Sequence, residues 1–404
     1  MQNDTAAARC HRERLDWHLK AVPPSAHGMQ LAQWLDSKPR IEQLETPAAV
    51  LQADALAHNI TAMADWCRAA GIEHMPHGKT TMAPQLWQRQ LDAGAVGITV
   101  ANAPQLRVAR AFDIPKVLVA NELVTPSVLR WIDEWRTAGG DVTCFVDSST
   151  GVERMTEALA DAATPLDVCI EFGAYAARGG VRRTEAAERL AQAVTESPAL
   201  RLTGIGGYEG SIAHDGRPES IERVDGFLAG LAQLAKRLDF EVDAPIVTAG
   251  GSEYFDQVQQ HLSPLSADGA RVVLRAGSYI THDDGLYAQM TPAARERSGP
   301  ELVSALHVRG TVVSMPEPGL ALLDVGRRDL SFDAGMPVAV DLPDVNVAAL
   351  NDQHTHLRGA VEDLSVGDIV RLGISHPCTT FDKWSLLPVV DGEGTITDAI
   401  RTYF

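Results

Sequence analysis

The sequence predicts an α/β fold in two unequal parts, a (β/α)8 barrel followed by an all-β domain. Three observations carry this. Strand-like apolar runs alternate with helical patterns over about 230 residues, starting near Thr46. The number and regularity of those runs argue a closed barrel rather than an open sheet. Past about residue 295 the alternation stops, and short strands joined by Gly, Pro and Asp turns take over.

In chain order, residues 1–45 read as an extension. Leu15, Trp17 and Leu19, then Leu31, Trp34 and Leu35, suggest two short helices separated by Pro23-Pro24, to which no chemistry is assigned. The barrel domain spans 46–295. Ala48-Ala49-Val50-Leu51 reads as its opening strand and 54–70 as a helix with Asp54 as N-cap. Strand-like runs follow at 74–80, 97–101, 116–121, 142–147, 166–172, 202–209, 246–249 and 272–275. Helical patterns between them include 104–112, 127–137, 151–162, 184–197 and 218–238. In the β domain, 296–404, strands are expected at 303–314, 320–324, 338–341, 345–351, 368–374 and 387–390.

Composition bounds the function. A chain of 404 residues is too long for one ordinary core. Hydrophobic content of 45% and charged content of 22% are those of a globular protein in water. A formal net charge of -18 disfavours nucleic acid and anionic membranes as partners. The five cysteines, Cys10, Cys67, Cys144, Cys169 and Cys378, do not form a disulfide framework, which suits a reducing compartment. With no signal-peptide core and no apolar run of membrane-spanning length, the expected location is cytoplasmic.

The candidate chemistry falls at the ends of the predicted barrel strands. Lys79 lies in Pro76-His77-Gly78-Lys79-Thr80-Thr81, between a strand and a helical pattern. At a barrel mouth such an amine can be desolvated, lose its proton and form a Schiff base. Alone, the stretch reads first as an exposed loop lysine. A phosphate-binding P-loop fails, because Glu73 stands where its first glycine is required.

Arg178 precedes Gly179-Gly180, which would let backbone lie close to a flat ligand. Tyr208 and His214 share a glycine-rich loop suited to binding an anion and moving protons. Gly250-Gly251-Ser252 and Gly277-Ser278-Tyr279 offer amides and hydroxyls to one phosphate. His376-Pro377-Cys378 brings an imidazole and a thiol together, both good zinc ligands, although as a pattern alone it reads first as a buried cysteine beside a histidine. His354-Thr355-His356 reads as a supplementary ligand or an exposed loop.

Taken together and in this order, the motifs resemble the alanine-racemase-type pyridoxal-phosphate enzymes, and within them the D-threonine aldolase and D-serine dehydratase family. They are Pro-His-Gly-Lys-Thr (76–80), Arg178-Gly-Gly, Tyr208 with His214, Thr-Ala-Gly-Gly-Ser (248–252), Ala-Gly-Ser-Tyr (276–279) and His-Pro-Cys (376–378). The resemblance implies that Lys79 holds pyridoxal 5'-phosphate, that Arg178 faces the pyridine nitrogen, and that Tyr208, Gly250, Gly251, Ser252, Gly277, Ser278 and Tyr279 surround the phosphate or fix the ring. It implies that His376 and Cys378 bind a divalent cation, zinc first, and that His214 handles substrate and protons. Two departures stand out: Gly78 and the paired threonines around Lys79, and cysteine as second metal ligand, which looks like the dehydratases where the aldolases look to carry aspartate.

The expected activity is therefore a metal-dependent lyase dehydrating a D-3-hydroxy amino acid to a 2-oxo acid and ammonia. Aldol cleavage to glycine and an aldehyde is the alternative. The resemblance also implies a homodimer with shared active sites.

Overall fold

The structure, a computed structural model, describes residues 5–404. Among them the strands in chain order are β1 (Ala48–Gln52), β2 (Glu73–His74), β3 (Ile98–Val100), β4 (Lys116–Glu122), β5 (Asp141–Val146), β6 (Leu166–Phe172), β7 (Leu200–Gly207), β8 (Ile246–Ala249) and β9 (Arg271–Leu274). They continue with β10 (Leu306–Glu317), β11 (Leu320–Leu323), β12 (Val338–Ala339), β13 (Val345–Leu350), β14 (Thr355–Gly359), β15 (Ile369–Gly373), β16 (Leu386–Val390) and β17 (Ile396–Arg401).

The strands β2 to β9 form one parallel sheet in the order β2-β9-β8-β7-β6-β5-β4-β3. A parallel bridge between His77 and Thr99 joins its two edges, so the sheet closes on itself. Buried Val, Leu and Ile side chains fill the strands, as a parallel sheet covered by helices requires. The predicted eight-stranded barrel and the β domain behind it are both present.

One strand sits elsewhere than expected. β1 does not open the barrel: it pairs antiparallel with β10 and parallel with β16, inside the nine-stranded sheet of the β domain. Ala48 to Leu51 are wholly buried, as a central strand covered on both faces must be. Two strands unmarked in sequence complete that sheet. β17 pairs with β16, and β14 pairs with β11 and β13. The histidine-rich turn at 354–356 thus belongs to the β13–β14 hairpin. There His356 bonds Asn351, and neither histidine lines the main cavity.

The extension is a clamp. Its helices lie at Ala6–His11 and Leu31–Asp36, while 15–19 forms turns with Trp17 exposed. Cys10, Leu31 and Trp34 are buried in the common core. The helix Pro84–Asp92, which follows Lys79, is tied to β17: Gln85 Nε2 donates to Ala399 O at 2.9 Å, its Oε1 accepts from Arg401 N at 2.8 Å, and Arg89 pairs with Asp398 at 2.6 Å. Asp54 lies inside the first turn of the helix Ala53–Ala69, whose N-cap is Gln52. Its charge there favours the helix dipole. No helix among the described residues is long and apolar enough to cross a membrane.

Candidate active site at the barrel mouth

At the carboxyl ends of the barrel strands a cavity of about 220 Å³ opens beneath the β domain. It is lined by Lys79, Arg178, Tyr208, Gly250, Gly251, Ser252, Gly277, Ser278, His376 and Cys378, so ten of the predicted residues meet there.

Lys79 follows β2 in a 3-10 turn, Gly78–Thr80. A side chain at Gly78 would lie 2.7 Å from the Trp87 indole, whose Nε1 donates to Gly78 O at 3.2 Å, so the approach to Lys79 admits only glycine. Burial holds the Lys79 pKa below its ordinary value; the Cys378 charge opposes this, and Arg178 and Arg275 add to it. More of the amine is therefore neutral, the form in which it reacts with an aldehyde.

The metal motif sits directly beside the lysine. Cys378 Sγ lies 3.3 Å from Thr80 Oγ1 and 3.5 Å from Ser278 Oγ. Burial raises the thiol's pKa, but the hydrogen bond and charge of His376, with the two hydroxyls, bring it below the ordinary value. A thiolate is the ligating form. His376 Nδ1 is 2.7 Å from Asp333 Oδ2. Burial works against its charge, yet the bonds to Asp333 and Cys378 push its pKa up to about 10. The donor set, a thiol and an imidazole facing a buried hydroxyl pair, fits a divalent ion of the zinc type.

The predicted phosphate and substrate residues differ in what they are free to do. The amides of Gly250 and Gly251 donate to the buried carboxylate of Glu209 at 3.0 and 2.7 Å, and so are already engaged. Ser252 Oγ, by contrast, is buried with no hydrogen-bond partner among the described residues. A phosphate on this wall would meet that hydroxyl rather than the paired glycine amides. Tyr279 turns away from the cavity, its hydroxyl accepting from Gln90 Nε2 at 2.9 Å, because adjacent residues of a 3-10 turn point in different directions. His214 does not line the cavity: it is 64% exposed, with Nδ1 3.4 Å from Glu253. Arg178 is exposed at the rim, its guanidinium 5.1 Å from the centre of the Tyr208 ring.

Several lining residues escaped the sequence reading. Arg275, at the end of β9, is buried and donates to Gly207 O at 2.6 Å and Thr248 Oγ1 at 3.3 Å. An arginine just before the Ala-Gly-Ser-Tyr motif was the available signal. Tyr287 donates to Ser278 Oγ at 3.2 Å and had no signal in sequence. His77 Nδ1 is buried with no hydrogen-bond partner among the described residues, and burial, Lys79 and Arg275 hold the ring's pKa well below its ordinary value. Glu122 and Glu171 line the cavity, and with Asp147 behind them they place carboxylate oxygens within 4.8 Å of one another. Burial first, then Glu171, pushes Glu122 up to about 8. Gly180 N donates to Asp147 at 3.1 Å, tying the cluster to the Arg178 loop.

With this geometry in view, comparison with known proteins narrows the field. Residues 51–271 match the family model described as "Alanine racemase, N-terminal domain", and 305–390 the one described as "Putative serine dehydratase domain". The chain is 29% identical over 354 residues to a 3-hydroxy-D-aspartate aldolase of Paracoccus denitrificans (strain Pd 1222), covering 85% of this chain and 88% of the relative. It is 28% identical over 296 residues to a D-threo-3-hydroxyaspartate dehydratase of Delftia sp. (strain HT23), covering 72% and 74%. The crystal structure of a D-threonine aldolase from Filomicrobium marinum superposes with a TM-score of 0.79 at 27% identity, covering 89% of this chain and 96% of that one.

Proposed function

Because this chain belongs to the alanine racemase N-terminal domain family and carries the serine dehydratase domain behind it, we propose that it is a pyridoxal-phosphate- and metal-dependent dehydratase. It would convert a D-3-hydroxy amino acid to a 2-oxo acid and ammonia. Its relatives are lyases of such amino acids, both aldolases and dehydratases. The choice of dehydration is our own reading.

One observation carries it: Cys378 Sγ lies 3.3 Å from Thr80, the residue after Lys79, so amine and metal ligands serve one small volume. Pyridoxal phosphate, when bound, supplies an aldehyde for the amine and a ring that withdraws electrons from the α-carbon. Lys79 and Ser252 are the residues that would hold it. A divalent ion held by His376 and Cys378 supplies a Lewis acid for the β-hydroxyl. The rest is work for the chain's own groups. Lys79 Nζ, its pKa lowered by burial, takes up the α-proton. Arg275, not Arg178, is the cation fixed within the cavity, and we assign to it the task of opposing a second positive charge there. Arg178 stands at the rim, where an incoming carboxylate meets it. Tyr287 and Thr80 keep the Ser278 hydroxyl against the Cys378 thiol.

Aldol cleavage requires a base at the β-hydroxyl. His214, one of two candidates for that base, lies outside the cavity, which removes one route to cleavage. The test is incubation of the cofactor-loaded protein with D-serine, D-threonine and D-3-hydroxyaspartate, with and without chelator, assaying ammonia and glycine separately. Ammonia with an oxo acid, lost on chelation, is expected. Glycine with an aldehyde would establish the aldolase instead, and chelator-insensitive racemisation would remove both. We also propose a homodimer, supported by Phe332 and Met336 exposed beside Asp333; a monomer by light scattering would refute it.

A further inference from the structure

We propose that Asp333 is a positioning residue that holds His376 in the tautomer able to bind a metal through Nε2. The proposal rests on the metal site argued above and adds to it a residue from another loop of the β domain. An imidazole that donates from Nδ1 keeps the lone pair of Nε2 for a ligand. Asp333 Oδ2 receives that Nδ1 proton at 2.7 Å.

The carboxylate is itself held. Its Oδ1 accepts from Thr379 Oγ1 at 2.6 Å. Thr379 directly follows Cys378, so a single carboxylate braces both sides of the His-Pro-Cys turn. A second brace comes from the barrel: His376 N donates to Asp283 Oδ2 at 2.7 Å. Asp283 Oδ1 in turn accepts from Gly285 N at 3.0 Å and Tyr287 N at 2.8 Å. That hold matters because His376 has φ of 79°, in the left-handed region that side chains disfavour. Main chain and ring are thus fixed by two carboxylates, one from each domain.

Asp333 is not a third ligand. It does not line the cavity and its side chain is 45% exposed. Among the described residues, no close group of three His, Cys, Asp or Glu donors contains both His376 and Cys378. Its part is to orient the ring.

The test is zinc affinity by chelator competition on cofactor-loaded wild type, Asp333→Asn, Asp333→Ala, Thr379→Ala and Cys378→Ala, with cofactor absorbance recorded in parallel. Asp333→Ala is expected to bind zinc about 10- to 100-fold more weakly. Asp333→Asn should fall between it and wild type, because an amide oxygen still accepts from Nδ1 without the charge. Thr379→Ala should weaken binding least. Cofactor absorbance should stay at the wild-type level throughout, a split that general loosening of the fold would not produce. If Asp333→Ala does not fold, Asp333→Asn and Thr379→Ala decide. Wild-type affinity in the Asp333 variants, with zinc lost in Cys378→Ala, would overturn the positioning role and leave the metal site standing. A wild type that binds no zinc would overturn both.

Discussion

The two walls of the cavity are built in opposite ways. The wall of Lys79, Ser278, His376 and Cys378 is packed: Thr80, Ser278 and Cys378 touch at 3.3 to 3.5 Å, and crowding by Trp87 fixes the approach to the lysine. The facing wall carries Glu122 and Glu171, backed by Asp147, and a glycine-rich loop in which Arg178 and Tyr175 are exposed. That loop is held chiefly by Arg182, which donates to the carbonyls of Arg178, Gly179 and Gly180. On the proposed reading, the groups that would react at a set distance sit where two domains and the main chain over-determine them. On that same reading, the groups that would meet an incoming substrate sit on the adaptable side.

Substitutions can break this contrast, and the largest effect belongs to the packed wall. Lys79→Ala should abolish turnover and the absorbance of bound cofactor; a variant that keeps both contradicts the assignment. Cys378→Ala should leave the cofactor absorbance intact and lower kcat by about 10²- to 10³-fold, the loss of a Lewis acid worth several kcal/mol. An unchanged kcat would dissociate the metal motif from the chemistry.

The arginines sharpen the comparison. Arg275→Leu leaves Gly207 O without its donor and strips a cation from beside Glu209 and Glu171, so urea denaturation should show a loss of about 3 kcal/mol or more. Arg178→Leu should alter stability little and raise KM. Equal effects of the two on stability would mean that the walls do not differ as described.

Glu122→Gln gives a smaller effect that depends on pH. Burial raises the folded-state pKa of Glu122 to about 8, whereas the unfolded chain titrates near 4.5. The folded state therefore binds the proton more tightly, and stability falls as pH rises between those values. In Glu122→Gln the drop in Tm from pH 5 to pH 9 should shrink; an unchanged drop would clear Glu122 of this role. Smallest of all, His214→Ala should leave kcat within about twofold, consistent with its place at the surface.

The same contrast explains what the sequence discloses. Barrel strands were legible because each is a buried run followed by an amphipathic helix. β1 has that same pattern, but its partners lie in β10 and β16, more than 250 residues away, and only tertiary pairing distinguishes it. Lys79, Ser278, His376 and Cys378 were legible because short spacings bring them to strand ends. The engagement of the Gly250 and Gly251 amides by Glu209 was not, since a glutamate after a strand carries no mark of being buried. Tyr287 and Asp333 act through contacts between distant segments, which periodicity does not encode.

The central claim is that the Lys79 amine is the point where the cofactor is covalently held. Borohydride reduction of the cofactor-loaded protein, followed by peptide mass spectrometry, tests it most directly. A pyridoxyl mass is expected on the peptide containing Lys79 and on no other. A pyridoxyl group on a different lysine, or none at all, would contradict it.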